Sequence, residues 1–209
     1  MGYDFEKLTT EELDELCERF LQETDGQYNY SAAAAAAGIA AERGDAKGLY
    51  LYGSLLIDGN GVEQDIPKGL ECWRKSGEMG YAPANDRLGF CLMSGICGVR
   101  KDPASAVVYF KKAAEAGHAD SMFHLAMMYG IGTGVEKDEA ESDKYLSMAA
   151  EKKLPVACML LARKKLSADN RTAEDLQEAA ALLLTAAEGN NTEAQLLYGV
   201  CCEKGIGVE

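Results

Sequence analysis

Small apolar positions recur along this chain with a fixed step. Ten small residues form two series that lie five residues apart, and the step from one pair to the next is 36 or 37 residues. Small residues near the middle of a helix let a neighbouring helix approach closely, so the pattern predicts repeated helix pairs. The pairs of positions are Gly48 and Gly53, Ala84 and Gly89, Ser121 and Ala126, Ala157 and Ala162, and Ala194 and Gly199.

Bulky residues, turns and caps keep the same register. A Gly-x-Gly-Val turn follows three of the predicted first helices, at 59–62, 132–135 and 205–208, and a five-residue form follows a fourth at 95–99. Glycine tolerates the positive φ at which a helix ends, and a following aspartate can cap the next helix. Bulky residues of the second helix would then fill the space beside the small residues. The bulky series is Trp73, Phe110, Leu146 and Leu183; the caps are Asp65, Asp102 and Asp138, with Pro67 and Pro103 in the first turn.

The segment before the repeats predicts two further helices. Thr9 and Glu12 fit a capping box, and apolar residues at 13, 16, 20 and 21 recur at helical spacing. A second helix is predicted to begin after Ser31, at a run of alanines. The register then divides the chain into an N-terminal helical cap or degenerate repeat at 1–44, four repeats at 45–80, 81–117, 118–153 and 154–190, and a partial fifth repeat at 191–209, all within one solenoid domain.

Two places depart from the regular pattern. Residues 163–173 replace the Gly-x-Gly-Val turn, and we expect that loop to have its own conformation. The chain stops where a second helix would come next, so we expect it to be cut from a longer protein, or its last edge to pack against a second copy.

These series resemble the Sel1-like repeat, a relative of the tetratricopeptide repeat. The pattern Ala-x-x-x-Leu-Gly-x-Leu-Tyr-x-x-Gly-x-Gly-Val-x-x-Asp, followed by Trp/Tyr-x-x-Ala-Ala-Glu-x-Gly, is matched best by residues 45–80 and 118–153, and the resemblance covers about residues 40 to 209. It implies an all-α fold, a right-handed α-α solenoid superhelix of stacked antiparallel helix pairs. It also implies protein binding as the function.

Composition and charge argue against some classes of binding partner. Hydrophobic residues make up 47% of the 209 residues, enough for a buried core. Asp and Glu number 34 against 21 Lys and Arg, a net charge of −13, so most of the surface would repel nucleic acid. The first six residues lack the pattern of a signal peptide and no apolar run would cross a bilayer. We therefore expect a cytoplasmic protein with neither nucleic acid nor membrane as partner.

Candidate chemistry is sparse. His118 and His124 are the only histidines and lie six residues apart, which places them on different helix faces and argues against a metal site. Among the seven cysteines, Cys91 with Cys97 and the adjacent pair at 201–202 lack the spacing of a zinc or redox motif. Cys91 shares its repeat position with apolar residues, which favours a core role. We predict no catalytic residue, no metal, no cofactor and no enzymatic activity.

The candidate partner-binding residues follow from the resemblance. In tetratricopeptide geometry the first helix of each pair lines the concave face, here at positions three before, one after and four after the second small residue. Much of this set is apolar, aromatic or methionine, which suits an apolar anchor of a partner. The alternative is that a tighter superhelix buries these side chains between adjacent first helices. Ile57, Met159 and Leu196 belong to the set, and the residues selected from it are Tyr50, Asp86, Phe90, Phe123, Met127 and Arg163.

Three functional hypotheses remain open at this stage. The first is a protein-interaction module, an adaptor, scaffold or regulator that binds a partner peptide or helix in its concave face. The second is a cell-envelope small-molecule binder or β-lactam-type hydrolase like the cysteine-rich branch of the family, although the regular cysteine pairing of that branch is absent here. The third is self-assembly, with a homodimer through the C-terminal half-repeat, which predicts a concentration-dependent mass.

Overall fold

The chain folds into α-helices joined by short turns. The computed structural model describes residues 4–22 and 28–208, and within those ranges it contains eleven α-helices, one short 3-10 turn at Phe5–Lys7 and no β-strand. Met1, Gly2, Tyr3 and Glu209, on which part of the signal-peptide and chain-end expectations rest, lie outside the described residues. The expected class, all-α with packed helix pairs, is confirmed.

The helices differ little in length from one repeat to the next. Their bounds are α1 Thr10–Leu21, α2 Tyr30–Glu42, α3 Ala46–Asp58, α4 Ile66–Glu78, α5 Ala82–Ser94, α6 Pro103–Glu115, α7 Ala119–Ile131, α8 Glu139–Glu151, α9 Pro155–Ser167, α10 Ala173–Glu188 and α11 Thr192–Lys204.

The chain divides into two compact units at 118/119. The N-terminal unit holds α1 to α6; within it α3 packs on α4 and α5 on α6, while α1 packs on α2 and α2 on α3. The C-terminal unit holds α7 to α11; within it α7 packs on α8 and α9 on α10, and α11 packs on α10.

Aspartate caps start the second helix of each of the first three pairs. The carboxylate of Asp65 accepts the backbone N–H of Lys68 at 3.0 Å, and that of Asp102 accepts the N–H of Ser105 at 3.1 Å. Asp138 does the same at the start of α8. Each bond satisfies one of the backbone donors that a helix leaves free at its N-terminus. These predicted caps are confirmed, as is proline in the first turn of α4 and α6.

In the N-terminal unit, a glycine of each first helix packs against an aromatic ring of the following second helix. A Cβ built on Gly53 would lie 2.8 Å from the carbonyl oxygen of Gly69 and 2.8 Å from Trp73 Cδ1. A Cβ on Gly89 would lie 2.9 Å from the ring of Phe110, which is fully buried. The helices of these two pairs thus approach closely enough to require glycine, as the small-residue series predicts.

The corresponding positions of α7 to α10 hold alanine and leucine, while α11 keeps a glycine, Gly199. Ala126 and Ala162 are buried in α7 and α9, and Leu183 of α10 is fully buried. Leu146, the bulky residue of α8, is only half-buried. The register is therefore the same in both units, but different side chains fill it.

Three expectations about the irregular segments can be compared with the structure. The capping box of α1 is confirmed, because Thr9 N–H donates to Glu12 Oε2 at 2.8 Å and Glu12 N–H donates to Thr9 Oγ1 at 3.2 Å. The start of α2 after Ser31 is wrong: the helix begins at Tyr30, because the Asn29 side chain accepts the N–H of Ala32 and caps it there. The expected loop at 163–173 is shorter than predicted, because α9 continues to Ser167 and α10 begins at Ala173. The loop does have its own conformation, since α9 ends on extended Ala168 without a left-handed glycine.

Candidate partner-binding surfaces

Tyr50 of α3 is held in an aromatic cluster of the N-terminal unit. Its ring stacks on Trp73 at a centroid distance of 6.2 Å and is tilted against Tyr81 at 5.3 Å. Trp73 Nε1–H donates to the Tyr50 carbonyl oxygen at 3.1 Å and lies 3.2 Å from Ser54 Oγ. Aromatic pairs of this kind fix ring orientation as well as burying area. Tyr50 is therefore a half-buried, rigid support.

Arg87 connects Tyr50 with Asp86, and sequence reasoning missed it. The guanidinium is exposed on α5, and a hydrogen bond with the Tyr50 side chain raises its pKa, with a smaller contribution from the charge of Asp86. Tyr50 and Asp86, two of the selected residues, thus both interact with the charge of Arg87. No position-counting rule along a helix would reveal this contact, because it joins the side chains of two helices.

Asp86 and Phe90 lie one turn apart on α5 but differ in exposure. Asp86 is buried, and its Oδ1 lies 3.6 Å from His118 Nδ1 in the turn after α6. Phe90 is a large hydrophobic side chain with 36% of its surface exposed. Of the two, Phe90 is therefore the residue that an incoming partner would touch.

Phe123 and Met127 form the corresponding pair on α7 of the C-terminal unit. Phe123 is half-buried, and its ring lies 6.4 Å from that of His124. Met127, one turn later, is 41% exposed. Residues four apart share a helix face, so the two side chains present one apolar surface.

Arg163 of α9 is exposed and already has an acidic neighbour. Its Nη1 lies 3.3 Å from Glu193 Oε1 of α11, and both side chains are largely exposed. Ion pairs of this kind contribute only about 0–1 kcal/mol, so a partner carboxylate could replace Glu193 at little cost.

Burial divides the remaining members of the set. Ile57 and Met159 are buried, in agreement with the alternative that packing between helices covers some positions. Leu196 of α11 is instead highly exposed. The positions one after the small residue stay open in α5, α7 and α9, where the side chains are Phe90, Met127 and Arg163.

Two buried thiols and the arrangement of metal-ligating side chains complete the description of the candidate chemistry. Burial raises the pKa of Cys17 to about 12 and, together with a hydrogen bond to Cys97, that of Cys91 to about 12. Such thiols hold almost no thiolate at neutral pH, and the thiolate is the nucleophile. Across residues 4–22 and 28–208 no three His, Cys, Asp or Glu side chains are grouped to hold a metal ion. In the same residues no helix is long and apolar enough to cross a membrane.

Comparison with curated proteins gives local matches to much longer chains. Over 109 residues the chain is 30% identical to chitin synthase regulatory factor 3 of Schizosaccharomyces pombe, a match that covers 51% of this chain and 12% of that protein. Over 92 residues it is 37% identical to protein sel-1 homolog 2 of Mus musculus, covering 44% of this chain and 13% of that protein. The chain thus spans about an eighth of the length of these relatives.

Solved structures share the fold over most of the chain. A Sel1 repeat protein from Oxalobacter formigenes superposes with a TM-score of 0.79 at 22% identity, covering 92% of this chain and 78% of that one. A protective antigen of uropathogenic Escherichia coli with the same repeat fold gives a TM-score of 0.75 at 25% identity, covering 98% and 43%. Because the identity to the Oxalobacter formigenes protein is only 22%, that similarity shows a shared fold and nothing about function.

The Sel1 repeat family model matches at 46–81, 82–118, 119–154, 155–191 and 192–209. Each match begins at the first residue of a first helix, Ala46, Ala82, Ala119, Pro155 and Thr192. Proteins with these repeats generally act in protein–protein interaction. The matches together cover well over half of the sequence, and this chain belongs to the Sel1 repeat family.

Proposed function

We propose that this chain is a protein-interaction module, an adaptor, scaffold or regulator that binds a partner peptide or helix through its first helices. The family supports binding as the class of function. The first relative described above is named a regulatory factor, which supports regulation through binding over catalysis. The buried, protonated thiols support the same choice, because they are poor nucleophiles.

One observation carries the proposal. Phe90 and Met127 occupy the same repeat position, directly after the small residue, and both remain exposed although each is a large apolar side chain. Exposed aromatic and methionine side chains are typical anchors for an apolar partner segment. Each has a half-buried or buried residue of the set one turn before it, Asp86 and Phe123 respectively. The pattern therefore repeats in both units.

Charge suggests the character of the partner segment. The chain as a whole carries a net charge of −13, yet exposed arginines lie on the first helices: Arg87 is three residues before Phe90 on α5, and Arg163 of α9 has the repeat position that Met127 has in α7. Complementary charge sets register and suppresses wrong partners more than it adds affinity. We propose an amphipathic partner segment whose apolar face meets Phe90 or Met127 and whose acidic groups meet the arginines.

The test compares two double variants that introduce the same charge at exposed apolar positions. The first, Phe90→Glu with Met127→Glu, alters the proposed surface. The second, Val108→Glu with Leu184→Glu, alters second helices at side chains that are 54% and 39% exposed. Tyr50 is left intact, because its stacking on Trp73 and Tyr81 would make its loss a test of folding. Affinity capture from lysate of the source cell is compared after circular dichroism shows equal helicity.

The expected result is a protein retained by the wild type and by the second-helix variant but lost by the first-helix variant. If both variants capture the same protein as well as the wild type does, the proposed surface is wrong. If only the second-helix variant fails to capture it, the binding site lies on the second helices.

A further inference from the structure

Two cysteines meet at the end of α5 in the N-terminal unit. Cys91 Sγ lies 3.5 Å from Cys97 Sγ. Cys91 is buried in an apolar cluster of α3, α4 and α5, and Cys97 is partly buried and packs against that cluster. A disulfide needs sulfurs about 2.05 Å apart, so about 1.5 Å of movement would join them.

An inserted residue creates this contact. The other turns of the array read Gly-x-Gly-Val at 59–62, 132–135 and 205–208, whereas the turn at 95–99 has one residue more. Cys97 has a φ of 55°, and Gly98 beside it has a φ of 72° and takes the turn's usual left-handed glycine position. Cys97 is thus the extra residue, and its side chain is directed onto Cys91.

A cavity lies on one side of the pair. A space of about 250 Å³ is lined by Cys91 together with mostly apolar side chains of α4, α5 and α6 and the turn, and with the charged pair Glu71 and Arg74. Cys91 lies at the wall of this cavity with only 3% of its surface exposed, whereas Cys97 is half-buried outside the lining. Cys97 is therefore the thiol that a small reagent can reach first.

We propose that Cys91 and Cys97 are a redox modification site at which a low-molecular-weight disulfide of the glutathione class converts the two thiols into an intramolecular disulfide. This bond would tie the last turn of α5 to the loop that leads to α6. The site is independent of the proposed binding function, because neither cysteine belongs to the partner-binding set.

Access assigns the order of the two steps. Cys97, the more exposed thiol, loses its proton to solvent and attacks one sulfur of oxidised glutathione, which forms a mixed disulfide and releases one glutathione thiolate. Cys91 then loses its proton and attacks Cys97 Sγ, which forms the Cys91–Cys97 bond and releases the second glutathione thiolate. The two protein thiols lose two electrons in total, glutathione disulfide gains them, and the two protons end on the glutathione thiols. Contact with Cys97 at 3.5 Å suits Cys91 to the second step, because its attack on the mixed disulfide is intramolecular. Burial raises the pKa of Cys91 to about 12, so this step is slower than it would be for an exposed thiol.

The chain offers an internal control. Cys201 occupies the same repeat position as Cys91 and is equally buried, but no cysteine follows in its turn at 205–208. Its neighbour Cys202 is exposed and adjacent in sequence. Comparing Cys91 with Cys201 therefore distinguishes the effect of the contact with Cys97 from the effect of burial at this helical position.

The test equilibrates the reduced full chain in buffers of increasing oxidised to reduced glutathione ratio, followed by acid quench, alkylation under denaturing conditions and tryptic mass spectrometry. Cleavage after Arg87 and Arg100 yields a peptide with Cys91 and Cys97 as its only cysteines. We expect this peptide to become unalkylated and lighter by two hydrogens at a ratio at least about tenfold lower than that needed to oxidise Cys201 and Cys202. A peptide 88–100 that stays doubly alkylated, or that oxidises no earlier than the control pair, would overturn the proposal.

Two variants test the order of the steps. Cys91→Ser should leave Cys97 able to accumulate the glutathione mixed disulfide, because the resolving thiol is gone. Cys97→Ser should leave Cys91 alkylated throughout the series, because it is buried. The reverse outcome, a mixed disulfide on Cys91 alone, would contradict the assignment of Cys97 as the attacking thiol.

Discussion

The two units solve the same packing problem with different side chains. In the N-terminal unit, glycines at 53 and 89 let the rings of Trp73 and Phe110 approach, and both rings are buried. In the C-terminal unit, Ala126 of α7 and Ala162 of α9 replace the glycines and leucines replace the aromatic residues, while α11 keeps Gly199. Leu146 of α8 is left half-buried. The same repeat register therefore permits two combinations: glycine on the first helix with an aromatic ring on the second, or alanine on the first helix with leucine on the second.

The comparison extends to the exposed surface. Both units expose large apolar side chains, but among the described residues Ile131 and Leu196 of the C-terminal unit are the most exposed, at 70% and 71% against 56% for Met79 of the N-terminal unit. At the bulky repeat position we expect a mutation of Phe110 to be more damaging than one of Leu146, because the ring is fully buried and the leucine is only half-buried.

The largest expected effect is the loss of an aromatic core residue. Phe110→Ala should lower the free energy of unfolding by about 3–5 kcal/mol, because the ring is fully buried and its removal leaves a cavity. Leu146→Ala, at the same repeat position in the C-terminal unit, should lower it by only about 1–2 kcal/mol, because that side chain is already half-exposed. Urea denaturation followed by circular dichroism measures both, and equal losses would remove the difference between the units.

Glycine substitutions give the next effect, and here the sign differs between the two units. Gly53→Ala should destabilise by about 1–3 kcal/mol, because its Cβ would lie 2.8 Å from the backbone oxygen of Gly69. Gly199→Ala, at the equivalent position of α11, meets nothing within 4 Å and should stabilise by up to about 1 kcal/mol through helix propensity. Thermal melts of the two variants decide the matter; a stabilised Gly53→Ala would show that the pair α3 and α4 can separate.

Buried acid in the N-terminal unit predicts a pH dependence. Asp14 of α1 is buried, its Oδ1 has no hydrogen-bond partner among the described residues, and burial with the nearby charge of Asp45 raises its pKa to about 7. Lys47 opposes this rise and Glu18 adds to it. Between about pH 4 and 7 the folded state therefore binds more protons than the unfolded state, and this contribution to stability is lost as the pH rises.

Asp14→Asn is expected to remove that pH dependence. An amide can donate to Asp45 without carrying charge, so the variant should gain about 1–2 kcal/mol relative to wild type between pH 6 and pH 8. Urea titrations at the two pH values give the difference directly. A variant whose stability falls with pH as steeply as that of wild type would exclude Asp14 as the cause.

The smallest effect concerns helix caps and should be equal in the two units. Asp102 caps α6 and Asp138 caps α8 with bonds of about the same length. Asp102→Ala and Asp138→Ala should each lower the free energy of unfolding by about 1 kcal/mol, because each leaves backbone donors of the first turn without a side-chain acceptor. Unequal losses would mean that the units differ in local capping as well as in packing.

The repeat register made much of the fold predictable from the sequence. Series of small residues, turns and aspartates agree with one another, and each reports a local rule that holds whatever the partner helix is. Asp65, Asp102 and the capping box at Thr9 are of this kind, because a cap depends only on residues within one turn. The two-residue error at the start of α2 arose because asparagine at 29 caps as well as serine at 31 would.

Features that depend on contacts between helices were not predictable. The burial of Ile57 and Met159 depends on how closely adjacent helices pack, which their repeat position does not state. Arg87 reaches Tyr50 across two helices, and the contact between Cys91 and Cys97 requires knowing where the inserted turn residue points. In each case the missing information is a distance between two side chains, which depends on how helices pack or on how a turn is bent.

The most direct test of the binding surface is site-specific photo-crosslinking in the source cell. A photoreactive phenylalanine analogue placed at Phe90 or at Met127 should crosslink the same partner protein, while the analogue at Val108 or Leu184 should not. The same partner from both first-helix positions, and none from the second helices, is the predicted result. No crosslink from Phe90 and Met127, or equal crosslinking from all four positions, would contradict the account.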